Sequence, residues 1–354
     1  MSTGEGRSRQ GLTDRHRSIA REVLAEHECS AAIRLAYLSG SLAAGLGHAN
    51  SDLDIHVVLA SGRNLEHPFA RKDGLKVQLN VVPEQVIGEL AEATRGYEVR
   101  PSNRDQVPIE SARLWQMART CESEFLDGED AELLSLYRSI DRAVAGKLIA
   151  FRFAAEAGLF AEDAYGMLAR GDIRSSLVAA RMALACSAEV AVALLGDLYA
   201  LPKFLLARLE RHAEFDDCIV GIWDLLQRAP EWSNLEAIAE LIPRILRAGQ
   251  QLSADGLLSH WSGGGAAYRL PPLANDGPKR DPERGLLRFE GTWGIAGPTE
   301  QLRVGEDMAR LWAACNGQSR DGVQSELIAQ GVDAPSEELA AQIQRLQQRG
   351  VLSA

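Results

Sequence analysis

The stretch from Leu38 to Val58 restricts the fold more than any other part of the chain. One short apolar run, Ile33 to Leu38, ends in Ser39-Gly40-Ser41. After a gap that closes in the turn Gly47-His48-Ala49-Asn50, Ser51-Asp52 lead into a second run rich in Ile and Val, Leu53 to Leu59. Both runs have the composition of β-strands, and the segment between them starts at Leu42 as a good helix former. Side chains two apart on a strand share a face, so Asp52 and Asp54 lie together, with His56 continuing their row. Two carboxylates so placed repel each other unless a cation sits between them, and together they can share divalent cations. The Gly40-Ser41 turn lets backbone N–H groups and a hydroxyl approach a phosphate at the positive end of a helix. Metal and phosphate are thereby expected side by side.

The rest of the chain organises around this stretch. Residues 1–12 are rich in Gly, Ser and Arg and are expected to be disordered; Thr13 is a good N-cap for an amphipathic helix reaching about Glu28. Leu75 to Val82 reads as a third strand ended by Pro83, and Glu84 to Ala93 as a helix. From Asp130 to about Ala254 strand signals almost vanish. Leu133–Phe153, Ala161–Leu168, Ile173–Leu195, Lys203–Arg211, Ile219–Leu226 and Leu235–Leu252 carry apolar residues at three- and four-residue spacing, which predicts a helical bundle. Gly263-Gly264-Gly265, Pro271-Pro272 and Asn275-Asp276-Gly277-Pro278 punctuate a linker. Beyond it, Leu286–Phe289 and Trp293–Ile295 read as a strand pair, followed by helices over Glu306–Cys315, Arg320–Gln330 and Ser336–Arg349.

At 354 residues with 46% hydrophobic and 25% charged, the chain has the composition of a globular protein of several domains. Its 38 Lys+Arg against 49 Asp+Glu give a net charge of −11, which argues against a nucleic-acid partner. The apolar stretch Ser187–Leu201 is interrupted by Glu189 and Asp197 and is shorter than the roughly 20 residues that span a bilayer, so no membrane partner is expected. Met1 to His27 lacks an apolar targeting core, which predicts a cytoplasmic location. Cys29, Cys121, Cys186, Cys218 and Cys315 form no CxxC pair, and neither disulfides nor a zinc site are expected.

Gly-Ser, a glycine-containing gap and Asp-x-Asp in an apolar strand together resemble the polymerase-β-like nucleotidyltransferase superfamily, closest to its aminoglycoside-modifying and minimal bacterial branches. The resemblance covers residues 30 to 95, and the helical bundle behind them is similar in kind to those that complete the family's cleft. It implies a Mg2+-dependent transfer of a nucleoside monophosphate, AMP from ATP, with Asp52 and Asp54 as metal ligands and catalytic residues and Gly40 and Ser41 holding the triphosphate. The family usually carries a third carboxylate on a neighbouring strand. Here Leu75-Lys76-Val77-Gln78-Leu79-Asn80-Val81-Val82-Pro83 puts Gln78 in its place, an amide that can ligate through its carbonyl oxygen but cannot act as a base. Glu84 or Glu89 of the following helix are candidates to replace the acid. Ser51 reads either as a nucleotide contact or as a turn hydroxyl. Lys203, in Pro-Lys-Phe, and Arg181, in an Ala-rich helix, are candidate triphosphate contacts from the helical region, with a surface cation as the alternative for each. A loop or supporting role is expected of His48 and His56.

The C-terminal pattern resembles the winged helix-turn-helix of PqqD-like peptide-recognition modules, which implies that a leader peptide adds as a strand beside the hairpin. The expected fold class is α+β: a nucleotidyltransferase domain with a small mixed sheet over residues 13–128, an all-α bundle over 129–260, a linker over 261–284 and a winged-helix domain over 285–354. Natural-product biosynthesis with a ribosomally made peptide as acceptor is the leading reading. A peptide-binding adaptor that has lost turnover, and an antibiotic-modifying transferase, are the alternatives.

Overall fold

A computed structural model describes residues 11–97, 110–271, 277–333 and 335–353. Residues 1–10 of the expected disordered segment and 272–276 of the expected linker lie outside the described residues. The chain divides into two compact units. The first takes in 11–96, 110–145 and Asp197–Phe204, and the second takes in Gly146–Gly196 and the described residues from Leu205 onward. The segment 129–145 therefore belongs with the sheet, and the helical bundle shares one unit with the C-terminal module.

In the first unit, α1 (Asp14–Glu26) starts at a reciprocal cap: Thr13 Oγ accepts the His16 N–H and His16 Nδ1 accepts the Thr13 N–H. It is followed by β1 (Ile33–Ser39), α2 (Gly40–Ala43), β2 (Leu53–Leu59), β3 (Phe69–Lys72), β4 (Leu75–Val81), α3 (Glu84–Ala93), α4 (Ser111–Cys121), β5 (Glu124–Asp127) and α5 (Ala131–Ser139). The five strands form a mixed sheet in the order β3-β4-β2-β1-β5, with β2 and β4 parallel and the other neighbours antiparallel. Period-two alternation separates its faces. Ala36, Leu38, Leu53, Ile55, Val57, Val77 and Leu79 pack with Ile19, Ala20, Val23 and Leu24 of α1 into one core. Tyr37, Ser39, Asp54, His56, Gln78 and Asn80 lie on the opposite face.

The second unit holds α6 (Arg142–Ala169) from Gly146 onward, α7 (Ile173–Leu194), α8 (Leu205–Leu209), α9 (Ile219–Gln227) and α10 (Leu235–Asp255), which runs on into a π-helical turn, Gly256–His260. The sequence predicts one helix over Leu133–Phe153, but the chain breaks at Ile140-Asp141. The Asp141 carboxylate accepts the N–H groups of Ala143 and Val144, so it starts a new helix where apolar periodicity alone sees continuity. By length and composition α7 could cross a membrane, yet most of it is buried, largely against α10. Arg208 Nη1 donates to Glu189 Oε2 at 2.7 Å inside this bundle, with the two side chains 0% and 5% exposed.

After β6 (Lys279–Arg280) the C-terminal module folds as a three-stranded antiparallel sheet of β7 (Gly285–Phe289), β8 (Thr292–Ala296) and β9 (Gln301–Val304), then α11 (Glu306–Ala314), α12 (Arg320–Ala329), α13 (Ser336–Gln348) and β10 (Leu352–Ser353), which pairs with β6. The strand β9 extends the expected hairpin and forms one edge of its sheet.

Candidate functional site

Strand register assembles the site. Ser39 of β1 stands opposite Asp54 of β2, and Asp54 opposite Gln78 of β4, so one polar row crosses three strands. The next row is Tyr37, His56 and Asn80. At the end of β1 the chain turns through Gly40, whose φ is +82°. A Cβ there would stand 1.9 Å from Asp54 Oδ2 and 2.9 Å from its Cγ, so only glycine satisfies both the backbone angle and the carboxylate packed against it. The Gly-Ser turn and the Asp54 carboxylate are thus in direct contact.

Asp54 is half-buried, and burial pushes its carboxyl up from 3.8 to about 6; Arg119 of α4 opposes the rise, Asp52 adds to it and Lys203 opposes it. No cationic group lies within 4.0 Å of Asp54 among the described residues, whereas the more exposed Asp52 has Lys76 Nζ 3.8 Å from its Oδ1. Gln78 gives its amide N–H to Asn80 Oδ1 at 3.1 Å, which leaves the Gln78 carbonyl oxygen as its available ligand atom. Two carboxylates and an amide oxygen form an all-oxygen donor set that suits a hard cation such as Mg2+, and the side-chain-free cradle at Gly40 keeps room for Asp54. Glu84 and Glu89 do not complete this set: Glu84 is held by Arg34, and Glu89 by Arg113 at 2.9 Å.

Lys203 belongs to the first unit although the sequence places it among the bundle helices. Its segment, Asp197–Phe204, is tied down where Glu122 Oε1 accepts the Leu198 N–H at 2.9 Å and an Arg142 N–H at 2.7 Å. Tyr199 of this segment also senses the site: burial raises its hydroxyl, Arg119 opposes that and Asp54 adds to it. Lys203 Nζ sits 4.8 Å from the Phe204 ring centroid.

Ser51 closes the turn before β2. Its buried hydroxyl accepts the His48 N–H at 2.9 Å and lies 3.5 Å from Ser41 Oγ. His48 is exposed in that turn and accepts the Asn50 N–H. His56 is buried, stacked on Tyr37 with ring centroids 5.2 Å apart, and burial, then Arg119, lower it to about 4, so it is neutral at neutral pH. Arg181 is in the second unit, where its guanidinium donates to the carbonyls of Leu225, at 3.2 Å, and Arg228. The structure therefore brings Gly40, Ser41, Ser51, Asp52, Asp54, Gln78 and Lys203 into one unit and leaves Arg181 in the other.

No family model matches the chain, and no curated protein matches it. Among solved structures the chain is similar to a nucleotidyltransferase-like protein from Exiguobacterium sibiricum, with 14% identity over 68% of this chain and 77% of that one and a TM-score of 0.36.

Sequence reasoning missed Arg119 and Tyr199. Arg119 stands in an amphipathic helix, where a cation reads as an ordinary solvated residue; the Ser39 hydroxyl, which donates to the Arg119 carbonyl at 3.0 Å, ties its backbone to the polar row. Tyr199 had a weak signal, an aromatic residue in a non-helical stretch just ahead of Pro202-Lys203.

Proposed function

We propose that the Asp52/Asp54 site transfers a nucleoside monophosphate, AMP from ATP, to an acceptor hydroxyl, carboxylate or phosphate with Mg2+ bound by Asp52, Asp54 and the Gln78 carbonyl oxygen. The observation that carries this reading is the contact between the Gly40 turn and the Asp54 carboxylate, which sets an acid without a side chain between it and the turn at the end of β1. In the reaction an acceptor oxygen forms a bond to the α-phosphorus, the bond to the bridging oxygen breaks, and pyrophosphate leaves with the electron pair. Mg2+ would supply charge neutralisation of the triphosphate and of the leaving pyrophosphate. A Mg2+ site with few protein carboxylates relies on substrate phosphates for further ligands, and two acids with an amide fit that division.

The chain's own groups have separate tasks. Gly40 and Ser41 present backbone N–H groups to the triphosphate. Lys203 and Arg119 add positive charge around Asp54 in a protein whose net charge is −11. Gln78 orients without taking a proton, so the acceptor proton leaves to Asp54 or to solvent. For the acceptor we favour a peptide held by the C-terminal module, a reading supported by its resemblance to peptide-recognition domains and by the edge position of β9, suited to strand addition.

Gln78, in register with Asp54, also favours a second reading, a peptide-binding adaptor without turnover. Titration of ATP with and without Mg2+, comparing the wild type with an Asp52→Asn/Asp54→Asn double variant, tests the site. Mg2+-dependent binding that the variant loses supports the transferase, and absence of nucleotide binding overturns it. Pyrophosphate release on addition of acceptor peptides then separates the transferase from the adaptor.

A further inference from the structure

A second polar cavity lies entirely within the second unit. It encloses about 620 Å³ between α10 with its π-helical turn, the segment 266–271, residues 316–318 and α12. That volume is in the range of small-molecule sites. A π-helical turn interrupts the regular backbone ladder and often accompanies a binding site. Here the end of α10 and this turn place Asp255 and Ser259 on one wall while Asn316, Ser325 and Glu326 form the other.

The hydrogen-bond inventory of these walls is lopsided. Asp255 accepts from Gln251 Nε2 at 2.6 Å and from the Arg269 backbone N–H. Glu326 accepts from Gln318 Nε2 and, at 3.4 Å, from Gln330 Nε2. All four donors are neutral amides, and neither carboxylate has a cationic group within 4.0 Å among the described residues. Arg280, buried beneath the cavity, gives its hydrogen bonds to neutral acceptors instead: Gln251 Oε1 at 2.9 Å and the Ala313 carbonyl at 3.0 Å, with its guanidinium carbon 5.5 Å from the Trp312 ring centroid. Asn316 is 6% exposed and lines the cavity, and its Oδ1 has no partner. A buried acceptor left without a donor costs free energy unless a ligand or water supplies one. Burial pushes Asp255 up to about 7, the response of a carboxyl that lacks a close counter-ion.

We infer that this cavity binds a small organic polycation, a molecule with at least two protonated amines, between Asp255 and Glu326 with a further N–H donated to Asn316 Oδ1. Arg269 is the one cation among the described lining residues and acts on Glu326 from a distance, giving Asp255 only its backbone N–H, so the two carboxylates outweigh it and disfavour an anion. A bare divalent metal is disfavoured because amide N–H groups already occupy oxygens of both acids. The site is independent of the Asp52/Asp54 centre, which shares none of its residues, and of strand addition at β9. Because α10 comes from the bundle while Asn316 and α12 come from the C-terminal module, a bound polyamine would tie these two parts of the unit together.

Isothermal titration of the full chain with spermidine, in 150 mM salt and without Mg2+ or nucleotide, tests the inference. The expected result is saturable binding of one spermidine per chain, at least tenfold weaker in Glu326→Gln and in Ala329→Trp and unchanged in Asp54→Asn. Ala329 is exposed on the cavity rim, so tryptophan there obstructs the space while leaving the buried hydrogen bonds in place. A raised Tm of wild type with spermidine, absent in Ala329→Trp, is the second readout. No saturable binding overturns the inference. Binding of equal strength in all variants overturns it as well, because it marks diffuse association with an acidic surface, and so does binding lost only in Asp54→Asn, which moves the amine to the other centre.

Discussion

Asp54 and Glu189 are both acids removed from water, and the chain treats them in opposite ways. Glu189 has the Arg208 guanidinium at 2.7 Å inside the bundle, whereas Asp54 has no ion pair among the described residues and sits against a glycine with its carboxyl raised to about 6. A sealed ion pair makes a position structural: its charges are satisfied by the fold and lost only with it. A shielded carboxylate without a partner destabilises the fold and is tolerable where a ligand supplies the missing charge. Asp255 and Glu326 repeat the second pattern, each hydrogen-bonded by amides alone, whereas Arg208 is fully buried against its acid.

The same acid-to-amide change should therefore have opposite signs at the two positions. Glu189→Gln leaves Arg208 buried beside a neutral partner and should cost about 3 kcal/mol, read as a lower urea midpoint. If that variant were as stable as wild type, the distinction between structural and site acids would fail at its strongest point. Gly40→Ala comes next, at about 2–3 kcal/mol, since it combines positive-φ strain with displacement of Asp54. It should also abolish Mg2+-dependent nucleotide binding, whereas strain alone would leave that binding intact.

Asp54→Asn should stabilise the ligand-free protein by about 2 kcal/mol at pH 8, allowing for the partial exposure of the carboxyl. The sign follows from linkage. Between pH 3.8 and about 6 the native state holds a proton that the unfolded chain has released, so wild-type stability falls as pH rises through this window and is then level. The advantage of the variant is complete above pH 6 and shrinks as pH falls toward 4, which thermal melts at pH 8, 6 and 4.5 would reveal. An advantage independent of pH would mean that charge is not its cause.

How far the sequence discloses these contrasts depends on how local they are. The strand Leu53–Leu59 is legible because an alternating pattern is a property of seven neighbouring residues, and the structure places it over the same residues. The strand β3 is not, since Phe-Ala-Arg-Lys at a sheet edge leaves Phe69 70% exposed and has no buried alternation; the hint lay in Asp73-Gly74, both at positive φ in the hairpin turn. The Gly40, Asp54 and Gln78 grouping was readable because two turns and two strands bring it together. Arg119 and Tyr199 arrive from elements far along the chain, and the Asp255, Asn316 and Glu326 cavity joins segments about 60 to 70 residues apart, so no periodicity marks either.

Gln78→Glu gives the smallest expected effect and the sharpest separation of the transferase from the adaptor. Gln78 stands in register with Asp54, and a carboxylate there would put a third negative charge on the row with no new protein cation to meet it. Without Mg2+ the variant should be less stable by about 1 kcal/mol at pH 8, because like charges at neighbouring strand positions repel. With Mg2+ the same charge becomes a ligand, and the Mg2+ concentration needed for half-maximal ATP binding should fall about tenfold, equivalent to about 1.4 kcal/mol. Loss of stability without any gain in Mg2+ dependence would show that the row is not a cation site, whatever its geometry. A gain in both Mg2+ affinity and pyrophosphate release would show that the amide limits an active enzyme by withholding a charge and a base. Tighter Mg2+ and ATP binding with pyrophosphate release still absent would identify a nucleotide-binding adaptor, in which Gln78 is one of several departures from a working transferase.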